Sequence, residues 1–242
     1  MCTIIYVDEA DSTNNLLAAE SHRLSHGTAL MARRQTAGKG QRGNSWEAAP
    51  GQNLTFSLLL RPQSILASHQ FELLQVVAIS IVKVLRSQLD TDEIYIKWPN
   101  DIYYRDKKIC GILIENTISG ISIERSIVGI GINVNQDVFT SDAPNPVSMK
   151  QIAGHDFDLD DLLESVVAQI VCDFDNYETS LSPTQLAAHY RFMMWRGEGY
   201  WPYIDTATGE KFEGRIAAVA PTGLLTLSAP DGTLHTYAFK EV

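Results

Sequence analysis

Residues 102–134 constrain the fold most. Three β signals follow one another there: 102–104 and 109–115 flank the polar turn Arg105-Asp106-Lys107-Lys108, and 121–134 follows a hairpin signal at Ser119-Gly120. Apolar runs bounded by turn residues read as strands joined by tight connections. Gly111, Gly129 and Gly131 interrupt them. A glycine inside a strand marks a bulge, or a close approach by a ligand or another backbone. Residues 4–7, 28–33, 54–60 and 94–97 add further strand signals. Phe71, Leu74, Val77, Ile81 and Val84 fall at helical spacing. Residues 159–177 predict a second long helix, with Leu162, Leu163, Val166, Val167 and Ile170 on its apolar side. Ser12 is placed as the N-cap of a short helix carrying Leu16, Leu17 and Ala18.

The texture changes after about Trp195. Glycines at 197, 199, 209, 214, 223 and 232 punctuate short alternating runs, which predicts a small antiparallel β-barrel apart from the main sheet. We therefore expect two domains, 1–194 and 195–242. There is no internal repeat or low-complexity tract, and the sequence opens on a strand rather than a helix-turn-helix.

Composition narrows the functional classes. The formal net charge is −10, and no basic stretch is long enough to track a phosphate backbone. Sequence-independent nucleic-acid binding depends on such clusters, so no DNA partner is expected. Residues 197–242 hold only Lys211, Arg215 and Lys240 as cations. A small anionic ligand is still allowed, since a few local cations can serve one pocket. Three scattered cysteines (Cys2, Cys110, Cys172) make no disulfide framework. The apolar start is too short for a signal segment, and no window approaches membrane-spanning length. A cytosolic chain without a membrane partner is expected.

Three segments carry chemistry. Residues 35–51 contain four glycines and little apolar content, so they form a loop. In it, Gly38, Gly40 and Gly43 let backbone N–H groups converge on an anion, while Lys39 and Arg42 supply charge. Taken alone, the segment also reads as an ordinary surface loop. The second segment, Lys97-Trp98-Pro99-Asn100-Asp101, packs a cation, an aromatic, an amide and a carboxylate around a rigid turn. Turn chemistry alone also accounts for Pro-Asn-Asp. In the third, Lys108 starts a buried strand, where its side chain could enter a pocket or cap a solvated hairpin tip.

In combination these segments are specific. Ser12-Thr13-Asn14, the Gly38-Lys39-Gly40 loop ending at Trp46, Lys97-Trp98-Pro99-Asn100-Asp101, Lys108 with Gly111-Ile112-Leu113, and Gly129-Ile130-Gly131-Ile132-Asn133 resemble biotin protein ligases in order and spacing. The resemblance covers residues 1–190, and the C-terminal part more loosely. It implies an α+β fold: a mixed sheet with flanking helices, related to class II aminoacyl-tRNA synthetases, plus a C-terminal SH3-like barrel. It also implies activation of biotin by ATP with Mg²⁺, and transfer to a lysine of a biotin carboxyl carrier protein, by a monomer or homodimer.

By the same resemblance, Ser12, Thr13 and Asn14 would contact the ureido ring. Gln35, Gly38, Lys39, Gly40 and Gln41 would line the biotin carboxylate and the adenylate. Lys108 would approach the reacting carboxylate and α-phosphate, with Gly111 and Gly129 on the pocket wall. Arg42, Lys97, Asn100, Asp101, Ile132 and Asn133 would lie on the nucleotide side, and Trp46 would cover the intermediate. Lys108, Lys39 and Asp101 are the expected catalytic set, with no protein metal ligand assigned. Gln41 stands where arginine is frequent in the family, with Arg42 as the neighbouring cation.

Two rivals remain. Cys110 beside Lys108 could serve an octanoyl or lipoyl transferase of the same fold, although an apolar strand suits an inert thiol. A non-catalytic binding module or sensor is the other. The six histidines show no metal-ligand spacing and read as surface or structural.

Overall fold

The computed structural model describes residues 2–140, 145–239 and 241–242, with Arg42 described by its backbone alone. The predicted Lys240 lies outside the described residues. Seven strands form a mixed sheet: β1 (Ile4–Ala10), β2 (Ala29–Gln35), β3 (Leu54–Leu60), β4 (Ile94–Lys97), β5 (Asp101–Tyr104), β6 (Lys107–Ser119) and β7 (Ser122–Ile132). They run in the order β1-β2-β3-β7-β6-β5-β4, with β1 parallel to β2 and the remaining pairs antiparallel. The β6–β7 hairpin that the sequence pattern predicts at Ser119-Gly120 lies near the centre of the sheet.

Strand alternation gives the sheet two different faces. Phe56, Leu58 and Leu60 of β3 and Val128, Ile130 and Ile132 of β7 join the main core. That core is roofed by α2 (Phe71–Leu89), α4 (Leu159–Ser180) and α5 (Pro183–Phe192). On the other face, Leu59 and Ile127 form a small cluster with Leu30 and with Leu17 of the short helix α1 (Thr13–Glu20), edged by Val7, Leu16 and Leu24. The remaining positions of that face include Thr55, Ser57, Gly129 and Gly131. Small side chains there, and one short helix for cover, leave room for a cavity.

Two helices escape the periodicity of apolar residues: α5 and the short α3 (Met149–Ala153). Each begins with a capping box, Ser148 with Gln151 and Ser182 with Gln185, and Pro183 occupies the first turn of α5. Those Ser-x-x-Gln signatures were readable in the sequence. No described helix is long and apolar enough to cross a membrane.

The outer edge of β4 is covered by the chain itself, with Ile96 N–H donating to Met193 O at 2.8 Å and Trp195 N–H to Ile96 O at 2.9 Å. The chain then enters a separate antiparallel sheet, β11-β10-β9-β8, made of β8 (Trp201–Ile204), β9 (Lys211–Val219), β10 (Leu225–Ser228) and β11 (Leu234–Tyr237). This arrangement is compatible with the expected SH3-like barrel. It docks on the main sheet through Trp98, whose indole Nε1 donates to Gly223 O at 2.9 Å and whose ring meets Phe239 edge-on at 5.5 Å.

Candidate functional site

A cavity of about 820 Å³ opens on the less covered face of the main sheet. Its floor is the middle of β6 and β7, and the strand glycines are what keep it open. A Cβ on Gly129 would come within 2.4 Å of Asn14 Oδ1, and one on Gly131 within 2.3 Å of the Trp46 ring. A Cβ on Gly111 would stand 2.9 Å from the same ring and 3.4 Å from Lys108 Nζ. The close approach at these glycines is made by side chains from α1 and the glycine loop, where the sequence suggested a ligand or another backbone.

One end of the cavity is polar, built of hydroxyl and amide side chains beside the Lys39–Glu115 pair. Ser12 sits at the N-cap of α1 in extended conformation, but its side chain makes no capping bond. Thr13 N–H donates to Gln35 Oε1 at 2.8 Å, and Thr13 Oγ1 lies 3.2 Å from the same oxygen. An N–H can only donate, so the oxygen of Gln35 must face Thr13 and its NH₂ group must face elsewhere. Asn14 donates through Nδ2 to Glu115 Oε2 at 2.7 Å, and its Oδ1 is 2.6 Å from Ser57 Oγ. Ser57 and Glu115 are absent from the residues singled out by sequence. A serine in an apolar strand carries no local signal of its partners.

Charge gathers one strand step further, beside Gly111 and Gly131. Lys108 Nζ pairs with Asp101 Oδ1 at 2.7 Å and lies 5.4 Å from the centre of the Trp46 ring. Lys97 Nζ donates to Tyr103 Oη at 3.2 Å. Asn100 and Asn133 also border the cavity, yet their amides are committed to the backbone. Asn100 Nδ2 donates to Ile112 O at 2.5 Å, and Asn133 Nδ2 to Val147 O at 3.2 Å. Both asparagines therefore shape the site by fixing chain turns. Trp46 Nε1 is buried without a hydrogen-bond partner, a polar donor beside the Lys108–Asp101 pair.

The glycine loop is more ordered than the sequence suggests. Trp46 N–H donates to Gly38 O at 3.0 Å, Gly40 N–H to Asn44 O at 2.6 Å, and Lys39 bridges to Ser45, so residues 38–46 close into a small hairpin. Its tip is a single 3₁₀ turn, Gln41–Gly43. Lys39, Gly40 and Gln41 border the cavity, whereas Gly38 lies behind it against the Trp46 carbonyl. The side chain of Arg42 lies outside the described residues.

Two predicted site residues, Lys39 and Ile132, and the rival nucleophile Cys110 are placed apart from the charged end. The Lys39 ammonium bonds to Asn15 Oδ1 at 2.5 Å and pairs with Glu115 at 3.9 Å, so it sits at the Thr13–Asn14 end of the cavity rather than beside Lys108. Ile132 is fully buried on the core face, because alternation along β7 turns Gly131 toward the cavity and its neighbour away. Cys110 is also fully buried, and burial pushes its thiol pKa far above the ordinary range, which removes it as a nucleophile. Phe139, Thr140, Asn145 and Pro146 border the cavity beyond Lys108, a stretch that has no recognisable motif in sequence. Among the described residues no histidine lines the cavity, and no group of three His, Cys, Asp or Glu side chains is arranged to hold a metal ion.

Known proteins resemble this chain in sequence and in fold. The sequence profile of the Biotin/lipoate A/B protein ligase family matches residues 5–133. The biotin–[acetyl-CoA-carboxylase] ligase of Paracoccus denitrificans is 33% identical, with 92% of each chain aligned. The bifunctional ligase/repressor BirA of Escherichia coli is 38% identical over 51% of this chain, a match spanning only 38% of that protein. The biotin protein ligase of Aquifex aeolicus, solved with biotin and ATP, superposes with a TM-score of 0.78 at 27% identity, covering 100% of this chain and 97% of that one.

Proposed function

The chain belongs to the Biotin/lipoate A/B protein ligase family, and on that premise we propose that it activates biotin with ATP and transfers the biotinyl group to a lysine of a biotin carboxyl carrier protein. One observation carries the reading: the Thr13, Asn14 and Gln35 hydrogen-bonding wall and the Lys108–Asp101 pair share one cavity, with Trp46 beside Lys108. A ligand with a polar, uncharged head and an anionic tail suits such a cavity.

The chemistry follows from charge. Free carboxylates are poor acyl donors. The biotin carboxylate attacks the α-phosphorus of ATP, pyrophosphate leaves, and biotinyl-5′-adenylate forms. The acceptor amine then attacks the acyl carbon and AMP departs. Two anions must be brought together in the first step, and the Lys108 ammonium offsets their repulsion in a site shielded from water by Trp46. Ser12, Thr13 and Asn14 contact the ureido ring, while Gln35, Gly40 and Gln41 line the tail. Lys97, Asn100, Asp101 and Asn133 border the nucleotide. Mg²⁺ commonly binds through one or two carboxylates plus substrate phosphates. Asp101, which borders the cavity together with Glu47, would be the carboxylate to hold it beside Lys108, and the ion would supply further neutralisation of phosphate charge. Residues 1–194 form the ligase domain in this reading, with 195–242 docked against it.

The test supplies ATP, Mg²⁺ and one acid at a time, biotin, lipoate or octanoate, and detects the acyl-adenylate by mass. Biotinyl-adenylate with pyrophosphate release is expected. Adenylation of lipoate or octanoate in preference to biotin would contradict the reading.

A further inference from the structure

Among the described residues, three lysines border the cavity, and they differ in what balances their charge. Lys108 pairs with Asp101 at 2.7 Å, and Lys39 with Glu115 at 3.9 Å. Lys97 alone has no carboxylate partner among the described residues. Asp101 stands opposite it in the β4–β5 register, yet that carboxylate is engaged by Lys108. The Lys97 ammonium instead donates to Tyr103 Oη at 3.2 Å. It lies 5.1 Å from the centre of the Tyr103 ring and 5.8 Å from that of Trp195. A carboxylate partner offsets a lysine's charge, whereas aromatic faces hold the ammonium and leave its charge in place. An ammonium has three N–H donors, so two remain for a ligand after Tyr103 has taken one.

The two rings are themselves held in place. Tyr103 is buried on β5, and its ring centre lies 5.5 Å from that of Trp195. Trp195 does not border the cavity. Its backbone N–H donates to Ile96 O, which sets the indole beside the next residue along β4, Lys97. Indole Nε1 donates to Asp106 Oδ1 at 3.1 Å, and the Arg196 guanidinium stacks 4.0 Å from the ring centre. Ordering a long lysine side chain costs rotamer entropy, and this bracket offsets that cost before a ligand arrives. We infer that Tyr103 and Trp195 are positioning residues that hold Lys97, free of a carboxylate partner, for the polyphosphate of the nucleotide.

This inference rests on ATP being the co-substrate, and the test separates the two. Lys108 attends the reacting carboxylate and α-phosphate in that reading. The β- and γ-phosphates, which depart as pyrophosphate, are then left to Lys97. Adenylate formation by the full chain is followed in Trp195→Leu, Trp195→Phe, Tyr103→Phe and Lys97→Met, with inorganic pyrophosphate and AMP as competing probes. Tyr103→Phe removes a single oxygen from a buried ring, so it decides the matter even if Trp195→Leu does not fold.

Trp195→Leu should raise KM for ATP and the inhibition constant of pyrophosphate about tenfold, the scale of one desolvated cation–π contact. KM for biotin and the inhibition constant of AMP, which lacks the outer phosphates, should stay unchanged. Trp195→Phe keeps an aromatic face and should recover most of the loss, while Tyr103→Phe should show the same selective pattern as Trp195→Leu. In the Lys97→Met background, Trp195→Leu should make no further difference, because it acts through that ammonium. A tryptophan that only joins the two sheets would weaken ATP, AMP and biotin together, equally with or without Lys97. That pattern, or unchanged pyrophosphate inhibition in both Trp195→Leu and Tyr103→Phe, would overturn the inference. A wild type that makes no biotinyl-adenylate would instead remove the functional reading beneath it.

Discussion

Lys108 holds its position through three neighbours: the Asp101 carboxylate at 2.7 Å, the Trp46 ring, and the space left by Gly111. Its place in the site was legible because a lysine opens an apolar, glycine-interrupted strand. The fates of Asn100 and Asn133 were not, since spacing says nothing about whether an amide faces a ligand or a backbone carbonyl. Lys108→Ala should reduce adenylate formation by an amount equivalent to about 2–4 kcal/mol of barrier, comparable to the loss of one preorganised oxyanion donor. Single-turnover assay of the adenylate checks this, with thermal unfolding as a control for the fold. A wild-type rate in that variant would mean that some other group neutralises the reacting anions.

At the scale of elements, the hairpin of residues 38–46 is the part most exposed to change on binding. It is held by a few backbone bonds among glycines, which lose much conformational entropy when ordered. Ligand contact should offset that cost and protect the segment. Limited trypsin digestion, cutting after Lys39 or Arg42, should slow markedly with saturating biotin and ATP. Equal cleavage with and without ligand would uncouple this hairpin from the cavity. The long strands and helices were readable from periodicity, and their bounds shifted by a few residues where β1, β2 and β6 extend into polar sequence. The hairpin was readable only as a loop, because its order comes from a short backbone ladder rather than from apolar spacing. Helices α3 and α5 were missed because apolar periodicity was sought where capping residues held the signal.

In the whole molecule, Trp98 joins the cavity to the C-terminal sheet, lining the one and donating its indole N–H to Gly223 O of the other. Its motif was visible in sequence, but its hydrogen-bond partner lies 125 residues away and could not be. Trp98→Phe leaves that buried carbonyl without its donor, at a cost of about 1–3 kcal/mol. Calorimetry should show Tm lowered by about 2–4 °C per kcal/mol lost. Amide exchange in β9 and β10 should also quicken, and an unchanged Tm and exchange pattern would assign the docking to Phe239 instead. The account as a whole stands on the identity of the acid that enters the cavity. The most direct measurement incubates the intact protein with biotin, ATP and Mg²⁺ and follows pyrophosphate release together with the mass of the bound product. Stoichiometric pyrophosphate and a biotinyl-adenylate are predicted; bound biotin with no pyrophosphate released would make this chain a binding module and contradict the account.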